Sequence, residues 1–188
     1  MKNLNFIFFV FVCSFLNSQT INEVSVKKYL YTLANDSMQG RKAGSPGIEK
    51  AAKYIENEFK RIGLTTFESL ETYRQTFNFK PRSSKEEITS ANIIGVLEGK
   101  SKKDEYVIVS AHYDHLGVKG KGEDKIYNGA NDDASGVTGV LALAEYFKKV
   151  GNERTIVFVA FTAEEMGLIG STHFGKGIDA NKFVAGIN

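Results

Sequence analysis

Apolar residues recur along the chain with two different periods, and the change of period predicts which segments are helices and which are strands. Over residues 46–62 the apolar positions fall at three- and four-residue steps, the spacing of a helix that buries one face. Ser45 and Pro46 stand where an N-cap and a first helical residue belong, and Gly63 stands just past the last turn. Residues 21–38 show the same spacing and predict another helix, and the Gly-rich polar segment between the two predicts a loop.

Three other runs are β-branched or continuously apolar, as expected of strands covered on both faces of a sheet. They are residues 92–97 (NIIGVL), 106–110 (YVIVS) and 155–162 (TIVFVAFT). A helical pattern over residues 136–149 separates the second run from the third, which gives the strand, helix, strand order of a βαβ crossover. We therefore predict an α/β fold with a mixed, largely parallel sheet between helices. Residues 64–91 are more polar, with an extended patch over residues 73–79 and a charged turn near Lys85.

The first twenty residues differ in character from the rest of the chain. A basic residue is followed by a nearly unbroken apolar run from Leu4 to Leu16, and the chain turns polar at Asn17. This order is typical of a secretory signal peptide, and the run is too short to span a bilayer comfortably. We predict a signal peptide over residues 1–19, a secreted or periplasmic protein, and no stable membrane insertion after cleavage.

Charge and cysteine content narrow the classes of partner and site. Lysine and arginine number 24 against 22 aspartates and glutamates, and the two signs are interspersed, so nothing favours nucleic acid or an anionic membrane as a partner. Cys13 is the only cysteine and lies within the predicted signal peptide. A metal site in the mature chain would therefore use histidine and carboxylate ligands rather than thiolates.

Candidate chemistry begins directly after the predicted strand 106–110, in the segment AHYDHLG. Neutral imidazole is a good zinc ligand, and a ligating histidine usually donates its other ring N–H to a carboxylate. His112, followed two residues later by Asp114, offers that pairing. Taken alone, the pair is better explained as a loop histidine beside a nearby acid.

The second candidate segment, NGANDDASG, leads into the predicted helix 136–149. Adjacent aspartates repel one another unless a cation or a helix N-terminus offsets their charge. Asp133 or Ser135 could cap the helix without any metal. The carboxylates exceed what capping needs, and this excess favours a cation.

The third candidate segment, AEEMG, follows the predicted strand 155–162. Glu164 and Glu165 project in different directions at a strand end, so one could bind a metal while its neighbour handles a proton. A solvated pair of glutamates is ordinary on a protein surface, but here the pair would have to follow a buried strand directly.

Together the three segments present a histidine and several carboxylates at one edge of the predicted sheet. Sites in open α/β sheets lie in loops at the carboxyl ends of strands, which is where these residues fall. A zinc hydrolase is built from this ligand set, with the metal activating water and a free glutamate accepting its proton. The residues alone leave this hypothesis and a set of ordinary surface acids evenly matched.

The three segments, in this order, are similar to those of the co-catalytic zinc aminopeptidase family, which includes bacterial leucyl aminopeptidases and aminopeptidase Y. The matching stretches are SAHYDHLG, NGANDDASGV and AFTAEEMGLIGS, supported by GRKAGSPG and ANIIGVLEG. The resemblance runs from about residue 21 to the end of the chain. It implies an α/β fold of the zinc-dependent exopeptidase type and an enzyme that removes N-terminal residues from peptides.

The resemblance also implies a role for each matching residue. His112 would bind one zinc ion, Glu165 would bind a second, and Asp132 would bridge both. The peptide bond after Asp132 would be cis. Glu164 would be the general base for the water between the ions, and Asp114 would orient His112.

The resemblance further implies an aspartate shortly after a strand that residues 182–188 resemble, and a distant histidine. Neither lies within the 188 residues, and His115 and His173 do not occupy the missing positions. We therefore expect each zinc ion to keep one private ligand beside Asp132, and metal binding to be weak. Residues 20–188 would then be the N-terminal part of the catalytic domain, with an incomplete sheet and no useful activity.

Two other functions stay open at this point. A single-zinc relative on the same fold, such as a glutaminyl cyclase-like enzyme, would act on an N-terminal glutamine, although the paired aspartates and glutamates favour two metals. A non-catalytic relative would use the fold as a binding or receptor module, and the retention of the candidate ligands and base argues against it.

Overall fold

The three predicted strands belong to one five-stranded sheet in the computed structural model, which describes residues 21–81, 86–119 and 122–188. The predicted signal peptide and the charged turn near Lys85 lie outside the described residues. The strands, in chain order, are β1 (Arg74–Phe79), β2 (Ile88–Leu97), β3 (Lys102–His112), β4 (Gly117–Val118), β5 (Ile126–Tyr127), β6 (Arg154–Phe161) and β7 (Phe183–Ile187). The short strands β4 and β5 pair with each other beside the sheet.

The directions of the strands agree with the prediction from sequence. The strands of the sheet lie in the order β1, β2, β6, β3, β7. β3 pairs in parallel with both β6 and β7, whereas β2 is antiparallel to its neighbours β1 and β6. In the described sheet every strand except β2 therefore runs in one direction, and the prediction of a mixed, largely parallel α/β fold is confirmed.

β2 and β3 are longer than the apolar runs that predict them. β2 begins at Ile88 because its first residues pair with β1. β3 begins at Lys102, which pairs with Arg154 before the register shifts. Backbone pairing holds these additional residues in the strands, and because polar side chains such as Thr89 and Ser90 interrupt them, a hydrophobic pattern does not detect them.

The helices of the described residues are α1 (Glu23–Leu33), α2 (Pro46–Ile62), α3 (Ser135–Val150) and α4 (Ile169–Lys176). The ends of α2 are as predicted, because Ser45 accepts a hydrogen bond from the first turn and Gly63 adopts a φ of 82° beyond the last. α1 ends at Leu33, earlier than predicted, because Asn35 caps a 3-10 helix over Asp36–Arg41. None of these helices combines the length and the apolar composition needed to cross a membrane.

Both faces of the sheet are covered, which explains why β6 is apolar at successive positions. Phe158 belongs to the apolar cluster on the first face, together with Ile55 of α2 and Leu141 of α3. Its neighbour Val159 belongs to the cluster on the second face, together with Phe174 of α4. Successive side chains of a strand point to opposite faces, so a strand buried on both sides needs apolar residues throughout.

Candidate metal centre

The candidate residues lie where two neighbouring parallel strands end. His112 is the last residue of β3 and pairs with Phe161, the last residue of β6, so the loops that follow leave the sheet side by side. One loop carries Asp114, and the other carries Glu164 and Glu165. Strand register therefore brings these side chains together at the carboxyl edge of the sheet.

The two aspartates before α3 have different partners. Both carboxylate oxygens of Asp133 accept backbone hydrogen bonds, one from the N–H of His112 at 3.2 Å and one from that of Gly136 at 2.8 Å. Asp133 thus ties the start of α3 to the end of β3. The side chain of Asp132 is 59% exposed and remains available to the site. The peptide bond between the two aspartates is cis, as the resemblance implies.

Asp132 lies between two histidines. Its Oδ1 is 3.0 Å from Nε2 of His112, and its Oδ2 is 3.8 Å from Nδ1 of His115. Each oxygen of this carboxylate therefore faces a different imidazole nitrogen. The third histidine, His173, has a different environment in α4, where its ring stacks on Phe77 with the centroids 4.2 Å apart.

The two glutamates face different histidines. Oε1 of Glu165 is 2.7 Å from Nδ1 of His115, whereas Oε2 of Glu164 is 3.9 Å from Nε2 of His112. Glu164 and His112 line an open cleft of about 540 Å³, which gives access to this side of the site. The other lining residues are Asp133, Phe161, Leu168, Ser171 and Asn188.

Asp114 is almost fully buried, and it contacts both loops of the site. Its carboxylate accepts hydrogen bonds from the backbone N–H of Glu164 at 3.0 Å and of Glu165 at 3.3 Å. Nδ1 of His112 lies 3.1 Å from the carbonyl oxygen of Asp114 and 3.7 Å from its carboxylate Oδ1. The backbone carbonyl of Asp114 therefore contacts His112, while its carboxylate holds the loop that carries Glu164 and Glu165. When the imidazole is neutral, an N–H at Nδ1 of His112 leaves Nε2 unprotonated and able to bind a cation.

Carboxylates dominate the charge around His112. Burial lowers the pKa of His112, but the nearby carboxylates of Asp114, Asp133 and Glu164 outweigh this effect and raise it to about 9. In the absence of another cation, a proton on this imidazole offsets the local negative charge. A divalent metal ion that binds the imidazole replaces that proton, because only the neutral ring is a ligand.

Arg41 is fully buried beside the site, although the sequence does not single it out. Its guanidinium donates at 2.5–2.9 Å to the backbone carbonyl oxygens of Leu33, Tyr113, Asn128 and Gly129. Burial lowers the pKa of Arg41, and the carboxylates of Asp114, Asp133 and Asp132 oppose this effect. The available signal was an arginine inside the Gly-rich segment GRKAGSPG, and nothing in that pattern indicates that the side chain is buried.

His115 also lies at the site, although the sequence assigned it no role there. Its backbone N–H donates to the carbonyl oxygen of Arg41 at 3.1 Å. Its ring packs so closely on Gly129 that a β-carbon at that position would come within 2.6 Å of the ring. The signal that could have identified it is its position, three residues after His112 in the same strand-end loop.

The donor atoms that converge here fit a divalent metal of the zinc type. Nδ1 of His115, an oxygen of Asp132 and an oxygen of Glu165 lie within 4.8 Å of one another. Within the described part of the chain, the buried Nδ1 of His115 has no hydrogen-bond partner. Imidazole nitrogen and carboxylate oxygen are the donors that zinc uses when cysteine is absent, and cobalt and manganese accept the same set.

Comparison with known protein sequences agrees with this chemistry. Residues 92–188 match Peptidase family M28. Over 87 residues the chain is 41% identical to Aminopeptidase YwaD of Bacillus subtilis, a stretch that covers 46% of this chain and 17% of that protein. The similarity therefore spans only a part of the relative's length.

Solved structures share the fold over most of this chain. The zinc aminopeptidase BSAP from Bacillus subtilis aligns with 90% of this chain and 69% of its own, with a TM-score of 0.73 and 17% identity. The glutaminyl cyclase of Fimbriiglobus ruber aligns with 84% of this chain and 55% of its own, with a TM-score of 0.70 and 25% identity. At 17% identity, the likeness to the aminopeptidase concerns the fold alone.

Proposed function

Because the chain belongs to Peptidase family M28, and because its strand-end donors fit a divalent metal, we propose that the whole protein is a zinc-dependent aminopeptidase. It removes N-terminal residues from peptide substrates. The observation that supports this most directly is the position of Asp132, whose two oxygens lie 3.0 Å from His112 and 3.8 Å from His115. A carboxylate placed between two imidazoles is suited to hold two cations close together.

We further propose that the whole protein binds two zinc ions. His112 and Asp132 would hold the first ion, and Asp132 and Glu165 would hold the second. When bound, zinc polarises the carbonyl group of the substrate and lowers the pKa of a bound water. The protein's own part is to fix these donors, and the hydrogen bonds of Asp114 and Asp133 to the backbone of the site do so.

Glu164 is the proposed general base. Its side chain is 37% exposed and lines the cleft, with Oε2 3.9 Å from Nε2 of His112. The hydrogen bond from its backbone N–H to Asp114 holds the loop that presents it. In the proposed reaction Glu164 accepts a proton from the attacking water and delivers it to the leaving amine.

The substitution Glu164→Gln tests this role because it keeps the shape of the side chain and removes its basicity. In the whole protein, we expect turnover of an aminoacyl p-nitroanilide to fall by about 10²–10⁴-fold, the usual contribution of a general base. Zinc content should not change, because Glu164 is not a proposed ligand. Glu71→Gln, at an exposed glutamate, is a matched control and should keep wild-type turnover. Equal turnover by Glu164→Gln and the wild type would contradict the assignment.

Zinc dependence and the requirement for a free amine need a separate measurement. Treatment of the purified whole protein with a chelator should abolish turnover, and added zinc should restore it. A substrate with an acetylated N-terminus should not be cleaved. Turnover that persists in excess chelator would contradict a zinc enzyme, and cleavage of the blocked substrate would contradict an aminopeptidase.

The likeness to the glutaminyl cyclase of Fimbriiglobus ruber favours a second candidate, cyclisation of an N-terminal glutamine. The products distinguish the two reactions, since an aminopeptidase releases a free amino acid and a cyclase releases ammonia. A peptide that begins with glutamine, analysed by mass spectrometry after incubation, gives the answer. If neither product forms with the zinc-loaded protein, a non-catalytic binding module becomes the better explanation.

We also propose that the protein is exported. The support is the apolar run from Leu4 to Leu16, which follows a basic residue and precedes a polar segment. N-terminal sequencing of the protein recovered from cells of its source should begin near residue 20. Recovery from the cytoplasm with residues 1–19 still attached would contradict export.

A further inference from the structure

We propose that His115 is a metal ligand, and that His115, Asp132 and Glu165 form a three-donor site for one divalent cation. This assignment rests on the metal chemistry proposed above, and it adds a ligand that the sequence did not provide. Within the 188 residues, the resemblance led us to expect only Glu165 and the shared Asp132 at this position. The structure adds an imidazole to them.

The first observation concerns the burial and bonding of the imidazole. His115 is only 9% exposed, and its Nδ1 has no hydrogen-bond partner among the described residues. Nδ1 lies 2.7 Å from Oε1 of Glu165, yet the contact lacks the alignment of a hydrogen bond. Two ligands of one cation point towards the cation and not towards each other. The donor atoms of His115 and Glu165 can therefore lie close together without the alignment of a hydrogen bond. A buried ring nitrogen without a partner is otherwise costly.

The second observation is the spacing of the three donor atoms. Nδ1 of His115 is 2.7 Å from Glu165 and 3.8 Å from Asp132, and all three donor atoms lie within 4.8 Å of one another. Ligands at the usual zinc bond lengths of about 2.0–2.1 Å in tetrahedral geometry are separated by roughly 3.3 Å. The observed distances lie on either side of that value. Small rotations of the carboxylates of Glu165 and Asp132 would bring both distances close to that value.

The third observation is that the backbone fixes the ring. The N–H of His115 donates to the carbonyl oxygen of Arg41, and the ring packs against Gly129, which has a φ of 58°. Arg41 in turn donates to the carbonyl oxygen of Gly129 at 2.9 Å. These contacts hold the imidazole beside the two carboxylates before any cation binds. A preorganised donor loses little freedom when the cation arrives.

Each of the two cation positions then has an imidazole of its own. His112 faces one oxygen of Asp132, and His115 faces the other. The three donors at the second position all lie between residues 115 and 165. We therefore expect the protein to bind one equivalent of zinc at this position more tightly than Asp132 and Glu165 alone would allow.

The test is a titration of the metal-free protein with zinc, followed by isothermal calorimetry, and with cobalt, followed by visible absorption. His115→Gln should weaken the binding of one equivalent by roughly 10–100-fold or more, since loss of even an indirect partner of a ligand has this effect. The ligand-field bands of one cobalt ion should weaken in parallel. His173→Gln, which alters the exposed histidine of α4, is the matched control and should bind both metals as the wild type does. Unchanged zinc affinity and an unchanged cobalt spectrum in His115→Gln would overturn the assignment.

A second variant covers the possibility that His115→Gln fails to fold. His115→Cys supplies a different zinc donor, and its cobalt complex should show a thiolate-to-cobalt charge-transfer band. A histidine with a purely structural role gives no such band, and its absence from a folded His115→Cys would also overturn the assignment. Peptide hydrolysis is measured separately. Hydrolysis with metal binding that does not depend on His115 refutes this inference alone, and metal binding through His115 without hydrolysis refutes the proposed function alone.

Discussion

Replacing Arg41 by alanine should destabilise the whole fold and not only the site. The guanidinium is fully buried and donates hydrogen bonds to four carbonyl oxygens, which belong to three separate segments of the chain. Two of these acceptors, Asn128 and Gly129, precede the aspartates, and Tyr113 directly follows His112 at the end of β3. Without Arg41 these loops lose the group that joins them.

The magnitude follows from the number and kind of the lost hydrogen bonds. Bonds from a charged donor contribute about 1.5–3 kcal/mol each, and Arg41 makes four of them. The cost of burying the guanidinium, several kcal/mol in itself, offsets a large part of this sum. Removing one member of a buried charged network usually costs about 3–5 kcal/mol, which is the loss we expect for Arg41→Ala. Domains of this kind are stable by only about 5–15 kcal/mol, so the variant should lie close to unfolding.

Urea unfolding followed by far-ultraviolet circular dichroism measures this loss, because the chain has no tryptophan to report on its fluorescence. Arg154→Ala is a matched control, since Arg154 makes a half-exposed ion pair with Glu105, and it should change the unfolding free energy far less. An unfolding free energy for Arg41→Ala within about 1 kcal/mol of the wild type, the range of ordinary surface substitutions, would refute this reasoning.

Two further predictions concern the close approach of Gly170 to the backbone of Thr162 and the ion pair between Glu145 and Arg61. Gly170→Ala should lower the melting temperature by several degrees, because its β-carbon would lie 2.3 Å from the carbonyl oxygen of Thr162, whereas Gly175→Ala in the same helix has open space and should be neutral or stabilising. Burial raises the pKa of Glu145, but hydrogen bonds, chiefly from Arg61, lower it overall to below its ordinary value of 4.5. A carboxyl group with a lowered folded pKa stabilises the protein above its unfolded pKa, and this contribution is lost as pH falls through the folded value. Glu145→Gln should therefore be destabilising near neutral pH, with a difference from the wild type that disappears in acid, and a difference that does not change with pH would contradict this.

The elements that the sequence predicts best are those whose periodicity follows from burial. α2 buries one face and carries its own start and stop signals, so local residues determine both ends. β6 is buried on both faces, and its continuous apolar run is a direct consequence. In both cases the physical cause of the element lies within the segment itself.

The elements that the sequence missed depend on contacts with distant residues. α4 has few apolar residues, and it is held by Phe174 in the second apolar cluster and by the approach of Gly170 to the backbone of Thr162. The first residues of β2 are strand because β1 pairs with them. Arg41 is buried because four backbone carbonyl groups surround it. None of these causes can be detected in a local pattern.

The acidic residues of the site show the same limit at the level of single side chains. Spacing alone does not determine which carboxylates are available for a cation. The side chains of Asp114 and Asp133 accept backbone N–H groups from neighbouring loops, so they hold the frame of the site. Asp132 and the two glutamates accept none of these backbone hydrogen bonds, so they are the acids proposed for chemistry. The need to pair buried N–H groups thus identifies the acids that hold the backbone, and this becomes visible only when the strand ends are brought together.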